Sequence, residues 1–301
     1  MNILVIGGSY FYGRVFVMLA AKEHNVTVVN RGTYSMEEFG AEQVRGERHD
    51  PAVWQQCRGR YDAIVDFCAY SAGDVECVLE NLAGSVSQYI LISTVDVYRR
   101  GTGLVLDEAA PLEDRRFPGE TGAYIAGKVA LEGEVREQCG KREIAWTILR
   151  PAILYGPYNY APRESLYIRM AVQEHVLPEI TDADGHFQLV YVKDGADAIM
   201  KCLGNPVTYG QAYNICQDGN IDYKALFAGL KQAAKEKISS VPMTAAAAVD
   251  RGIPLPFPIY AGESEDYSNE KGKKELGLTY TAETEGLART YRAFEGIFGG
   301  F

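Results

Sequence analysis

The sequence has no Cys-x-x-Cys pair, and its six cysteines (57, 68, 77, 139, 202 and 216) are too sparse over 301 residues for a disulfide scaffold. They read as reduced thiols, with Cys68, Cys202 and Cys216 packing on strands or helices. Only four histidines are present, at 24, 49, 175 and 186, and none has metal-ligand spacing, so no metal site is expected. No apolar run reaches the roughly 18 residues of a membrane span, and no membrane role is expected. The apolar start is broken by Gly7, Gly8, Gly13 and Arg14, and no Lys or Arg precedes it. That argues against a signal peptide and, with the reduced thiols, points to the cytoplasm. Positive charge is in deficit, 30 basic residues against 40 acidic, for a net charge of −10. Nonspecific nucleic-acid binding needs clustered Lys and Arg, so RNA is not the expected partner. Hydrophobic residues at 47% and charged residues at 23% exclude a disordered chain.

What is there alternates. Short apolar runs at 2–6, 26–29, 43–46, 62–67, 88–92 and 143–149 read as buried strands. Helical spacing falls between them, at 12–22, weakly at 35–41, and at 72–83 and 121–139. This predicts an α/β doubly wound parallel Rossmann sheet with strand order 3-2-1-4-5-6. After Arg150-Pro151 the character changes. Residues 155–163 are rich in Tyr, Pro and Gly, which suits a loop over a site. The tail carries helical patterns near 163–173, 193–203, 222–236 and 281–296, and strand-like pieces at 187–192 and 212–216. The expected division is a dinucleotide-binding domain over 1–155, with a return segment near 190–216. A smaller α/β substrate lobe takes 156–189 and 217–301.

The first strand runs at once into Gly7-Gly8-Ser9-Tyr10-Phe11-Tyr12-Gly13, which opens a helix. A strand–glycine loop–helix junction points backbone N–H groups and the helix N-terminus at an anion. Gly7 permits the tight turn and Gly13 permits close helix–strand packing. Tyr10 stands where a middle glycine is usual. The second strand ends Asn30-Arg31 without the acid that would hold the ribose 2′-hydroxyl of NAD. Arg31 can pair with a 2′-phosphate, which tilts the cofactor toward NADP; a merely solvated surface arginine is the alternative.

Tyr124 and Lys128 lie four apart on a predicted helix and so share a face. An ammonium beside a phenol stabilises the phenolate and makes a tyrosine usable as an acid or base. The spacing is cheap in a chain with 20 tyrosines, and Tyr267 and Lys271 repeat it. Context favours Tyr124, between the fifth and sixth strands; the Tyr267 pair reads as structural. Ser93-Thr94-Val95-Asp96-Val97-Tyr98 follows the fifth strand, where ligands bind in this architecture. Ser93 is expected at the cofactor, Thr94 and Asp96 at the substrate; capping of the loop is the alternative for the hydroxyls.

Together these residues resemble the extended branch of the short-chain dehydrogenases/reductases, the NAD-dependent epimerase/dehydratase family. The resemblance rests on Gly7-Gly8-x-x-Phe11-x-Gly13, Ser93-Thr94-x-x-x-Tyr98, Tyr124-x-x-x-Lys128 with Glu132, and Leu149-Arg150-Pro151 leading to Tyr155-Gly156-Pro157. Tyr191-Val192-Lys193-Asp194-Gly195-Ala196 and Tyr213-Asn214-Ile215 are similar to its later landmarks. It implies Tyr124 as the acid/base during hydride transfer. It implies Lys128 at the nicotinamide ribose, lowering the tyrosine's pKa, and Thr94 orienting the substrate oxygen. Gly7, Gly8, Ser9, Tyr10, Phe11, Gly13, Asn30, Arg31, Cys68, Ala69, Tyr70, Ser93, Pro151 and Ile153 would meet the cofactor. Asn159, Arg163 and Arg169 would meet the substrate, an arginine suiting a diphosphate.

The resemblance implies NAD(P)-dependent redox or epimerase chemistry on a nucleotide-sugar or similar hydroxylated small molecule, and a homodimer. Three departures stand out: Tyr10 in the loop, Ile125 for a glycine after the tyrosine, and Val95-Asp96 for an Asp-Glu pair, which disfavours dehydration. The first resembles an atypical subgroup that includes RNA-binding proteins, whose members need not be redox enzymes. A noncatalytic nucleotide- or RNA-binding protein is therefore the alternative.

Overall fold

The computed structural model describes residues 1–159 and 161–299. Its centre is a seven-stranded parallel sheet: β1 (Asn2–Ile6), β2 (Asn25–Asn30), β3 (Glu42–Arg45), β4 (Arg60–Asp66), β5 (Ser85–Ile92), β6 (Ala145–Pro151) and β7 (Gln211–Ile215). The spatial order is β3-β2-β1-β4-β5-β6-β7. That is the expected order with one strand added at the edge.

Helices cover both faces, which is why the strands read as near-continuous apolar runs rather than alternating ones. Successive side chains of β1 go to opposite sides. Ile3 and Val5 join one core with Phe16 and Val17 of the helix Phe11–Ala20 and Ile199 of the helix Val192–Cys202. Leu4 and Ile6 join a second core with Val75 and Val78 of the helix Asp74–Asn81 and Leu131 and Val135 of the long helix Gly119–Lys141. β6 runs two residues beyond the expected end, so Arg150 and Pro151 belong to the sheet.

The remaining chain builds an aromatic-rich lobe at the carboxyl ends of the strands. Tyr167, Phe187, Tyr223, Phe227, Phe257 and Phe294 meet in its core. The helices Glu164–Glu174, Tyr223–Ala233 and Glu283–Phe298 form it, with two small parallel pairs: Ile153–Tyr155 with Leu189–Tyr191, and Val176–Ile180 with Ser239–Met243. The weak helix expected over 35–41 shrinks to a 3-10 turn at Glu37–Phe39, closed by left-handed Gly40. No helix is long and apolar enough to cross a membrane, and no group of three or more His, Cys, Asp or Glu is placed to hold a metal ion, among the described residues. All six cysteines are free.

One buried ionic cluster joins these parts. Glu132 of the long helix and Arg150 of β6 are 0% and 2% exposed. Arg150 donates to both Glu132 oxygens, Nε to Oε1 at 2.8 Å and Nη2 to Oε2 at 2.6 Å, and Nη1 donates to the Tyr98 hydroxyl at 2.7 Å. Ser93 Oγ donates to Glu132 Oε1 at 2.9 Å, and Tyr98 donates to Asn214 of β7 at 2.7 Å. Truncating one partner would strand the other charge without water. Arg150→Met is expected to cost about 3–5 kcal/mol, read by chemical denaturation.

Candidate active site

The loop after β1 closes on itself. Gly7 and Gly8 have φ of +88° and +67°, the left-handed region that favours glycine. A Cβ on Gly13 would lie 2.6 Å from the Gly8 Cα, a backbone atom that cannot swing aside. The helix Phe11–Ala20 follows, and its N-cap residue Tyr10 is extended and gives no side-chain cap. Its first N–H groups are thus left for an anion. Phe11 holds a φ of +39°, a strained setting for a bulky residue.

A cavity of about 730 Å³ opens from this loop. Gly7, Gly8, Ser9, Tyr10, Phe11 and Gly13 line it, as do Asn30, Arg31, Cys68 and Tyr70. Arg31 is exposed and makes no hydrogen bond or ion pair among the described residues. Asn30, by contrast, is consumed locally: its Oδ1 accepts from the Gly32 N–H at 2.7 Å and from Gln43 Nε2 at 3.1 Å. The glycine cradle, the uncapped helix start and the Arg31 rim fit a dinucleotide.

A second cavity of about 490 Å³ adjoins the first and shares Phe11, Phe67, Tyr70 and Ile92 with it. Ser93, Thr94, Asp96, Tyr124, Lys128, Pro151, Ile153 and Arg163 line it. β5 delivers Ser93 and Thr94, β6 delivers Pro151, and the long helix delivers Tyr124 and Lys128 one turn apart. Ala69 lies under the wall rather than on it, and contributes a carbonyl that accepts from Lys128 Nζ at 2.8 Å. The Ile92 carbonyl accepts from the same ammonium, also at 2.8 Å.

Electrostatics depart from the simple reading of the Tyr124–Lys128 spacing. Lys128 Nζ lies 5.9 Å from the Tyr124 ring centre and 5.0 Å from that of Tyr70. Tyr124 is pushed up to about 12, by burial and then by the Asp96 carboxylate; the Thr94 hydroxyl, hydrogen-bonded to the phenol, opposes this. The ammonium is thus not among the groups that set the phenol's titration here. Burial pulls Lys128 from 10.5 down to about 8, against the attraction of Asp66. Asp96 Oδ2 accepts from Thr94 Oγ1 at 3.2 Å, and the same carboxylate is ion-paired to Arg100.

Two of the expected substrate residues also fall outside the cavities. Asn159 is buried and spends its amide on Glu164 Oε1 at 2.8 Å, a helix-start bond within the lobe. Arg169 sits on the exposed side of the helix Glu164–Glu174. Of the three candidates only Arg163 reaches the cavity; Nη2 donates to the Leu154 carbonyl at 2.9 Å, while its Nε is buried with no hydrogen-bond partner among the described residues and lies 3.9 Å from Glu164 Oε2. Tyr267 and Lys271 do not form a pair on one helix. Lys271 turns to Gln211 Oε1 and the Ala212 carbonyl, whereas Tyr267 lines the second cavity.

The tail also supplies His186, Gln188, Glu263 and Glu265 to that cavity, and Arg48 enters the wall of the first. Local sequence carries no signal for the tail residues, because strand pairing across the lobes brings them in. Arg48 had one: Asp66 ends an apolar strand and is 0% exposed, and a buried carboxylate there demands a cation.

A doubly wound parallel sheet with a glycine loop between β1 and the first helix is a Rossmann-type fold. The chain belongs to the NAD dependent epimerase/dehydratase family, whose model matches residues 3–216. Among curated proteins it is 25% identical over 242 residues to the chloroplast stem-loop binding protein of 41 kDa b of Arabidopsis thaliana; the match spans 75% of this chain and 61% of that protein. Among solved structures it resembles UDP-glucose 4-epimerase of Thermotoga maritima, solved with UDP-glucose, at 18% identity and TM-score 0.78 over 99% of each chain. It also resembles UDP-N-acetylglucosamine 4-epimerase of Methanobrevibacter ruminantium, solved with UDP-N-acetylmuramic acid, at 14% identity and TM-score 0.80 over 98% of each. A third is dTDP-glucose 4,6-dehydratase of Bacillus anthracis, solved with NAD, at 20% and 0.76 over 98% of this chain and 97% of that one. At these identities the structural likenesses establish the fold.

Gly13→Ala tests the loop directly. The added methyl meets backbone, so the variant is expected to lose about 1–3 kcal/mol in urea unfolding.

Proposed function

We propose that the chain is an NAD(P)-dependent oxidoreductase or epimerase that acts on a nucleotide-sugar or a similar hydroxylated small molecule. The observation that carries this is the convergence of Thr94, Tyr124 and Lys128 on the second cavity, beside the wall it shares with the glycine-loop cavity. A nicotinamide bound there would accept or return hydride. Tyr124, which lines that cavity, exchanges the hydroxyl proton of the substrate. Thr94, fixed by the Asp96 N–H at 3.2 Å, holds the oxygen that gains or loses charge. Lys128 supplies the cation that makes a phenolate tolerable when the site closes around ligand. Arg163 supplies guanidinium donors to an anionic group of the substrate. Arg31 at the end of β2 supports NADP over NAD.

A second reading, noncatalytic binding of nucleotide or RNA, is supported by the name of the Arabidopsis relative. The charge of −10 counts against RNA.

Nucleotide released on denaturation, followed by titration of the stripped protein with NADP and NAD, tests the cofactor half. Arg31→Ala is expected to weaken NADP about tenfold or more while leaving NAD within about twofold, since one charge-assisted bond is lost. Equal loss for both would remove the 2′-phosphate reading. Tyr124→Phe is expected to abolish turnover of a sugar-nucleotide panel, followed by nicotinamide absorbance or product analysis, with cofactor affinity kept. Full activity in that variant overturns the mechanism. A salt-dependent gel shift with stem-loop RNA and no cofactor binding would install the second reading.

The pH dependence has a fixed sign. Burial pulls the Lys128 ammonium down to about 8. If the ammonium is the binding form, affinity for cofactor is constant below that pH and falls as pH rises through it, by up to about tenfold per unit. Calorimetric titration across that range reads the slope.

A further inference from the structure

Arg48 belongs to no motif, yet it is the hub of a buried charge cluster at the wall of the first cavity. It lies just past β3, and its side chain is 9% exposed. Nη1 and Nη2 donate to Asp66 Oδ1 and Oδ2 at 3.2 and 3.0 Å, a two-pronged clamp on a carboxylate with no solvent access. Nη2 also donates to the Asp74 carbonyl at 2.8 Å. Asp66 and Asp74 bracket the turn 67–73, and both grip its backbone. Asp66 Oδ1 accepts from the Cys68 N–H at 3.0 Å. Asp74 Oδ2 accepts from the Tyr70 and Ser71 N–H groups at 2.7 and 3.1 Å. Inside this turn lies Ala69, whose carbonyl is one of the two seats of the Lys128 ammonium.

We propose that Arg48 is a positioning residue for Lys128: by holding Asp66 and Asp74 together it fixes the turn that seats the ammonium and offsets the carboxylate charge beneath it. This rests on the reading that Lys128 serves a bound nicotinamide cofactor. The geometry gives Arg48 two separable tasks. The fork shape fixes the turn, which a single ammonium cannot do, because it lacks the planar pair of donors. The positive charge offsets Asp66, which any cation there would do.

The groups facing Lys128 are Asp66 at the end of β4, Cys68 and Tyr70 in the turn, Asp74 at the helix start, Arg48 after β3, and Tyr124 on its own helix. Asp66 and Asp74 favour the ammonium and Arg48 disfavours it. Removing Arg48 alone therefore leaves excess negative charge and moves the lysine's titration upward.

The test is NMR titration of the Lys128 side chain in 13C-lysine-labelled protein, assigned by its absence in Lys128→Met, without any cofactor. Arg48→Met is expected to raise the Lys128 midpoint by at least about half a unit. Arg48→Lys is expected to keep the wild-type midpoint while weakening NADP binding about tenfold, because charge is restored and the fork is not. An unmoved midpoint in Arg48→Met, or wild-type NADP affinity in Arg48→Lys, overturns the proposal. Should Arg48→Met not fold, Asp66→Asn supplies the opposite sign: a midpoint lowered by a similar amount supports the proposal, and an unmoved one sinks it. If wild-type protein binds neither NADP nor NAD, the cofactor reading fails instead, and the NMR midpoints still report on Arg48.

Discussion

A carboxylate with no access to water must be matched bond for bond, and Glu132 is such a group. Its two oxygens take the forked Arg150 guanidinium, the Ser93 hydroxyl and a bond from Arg136 Nη2 at 3.2 Å. Those partners sit at the ends of β5 and β6 and on the long helix. Thr94 is the next residue after Ser93, Pro151 the next after Arg150, and Lys128 one turn before Glu132. The separations within the Thr94, Lys128 and Pro151 group thus descend from one ion pair that lies outside the cavities. Buried ion pairs are uncertain contributors to net stability. Their directional bonds, however, admit few alternative packings, and here that restricts three elements at once.

Much of the molecule was legible because its strands are buried on both faces. Runs such as Ile3–Ile6 announce themselves, and the first six strands with their order follow from them. The glycine loop and the Thr94, Tyr124 and Lys128 spacing were equally local. Legibility ended where partners come from afar. The pairing of Ile153–Tyr155 with Leu189–Tyr191 brings the tail over the second cavity, carrying His186 and Gln188, and nothing near those residues signals it. Asn159 and Arg169 lie outside the cavities for a different reason. Polarity in a loop beside a site does not say which way a side chain points, and Asn159 turned inward to cap Glu164. The second tyrosine–lysine spacing had chance behind it, and its two residues occupy different elements.

Charge balance is the other thread. Two acid-rich clusters lie against the cavities, Asp66 with Asp74 and Asp96 with Glu265, each tied to an arginine or to backbone N–H groups. A chain with a net charge of −10 that accommodates anions must silence its carboxylates near the site, and these bonds do so. The phenol of Tyr124 nevertheless stays protonated with Asp96 nearby, so any activation has to arrive with ligand, when water leaves and the ammonium gains relative weight.

The glycine loop is uneven in what evolution can alter. Position 13 is walled by the backbone of Gly8, so any side chain there breaks the turn. Position 10 opens outward, and Tyr10 is 47% exposed. A change at 10 alters the wall of the cavity, whereas a change at 13 meets the turn's own backbone. The two positions therefore divide the work: position 10 shapes what a bound molecule meets, and position 13 decides whether the turn closes.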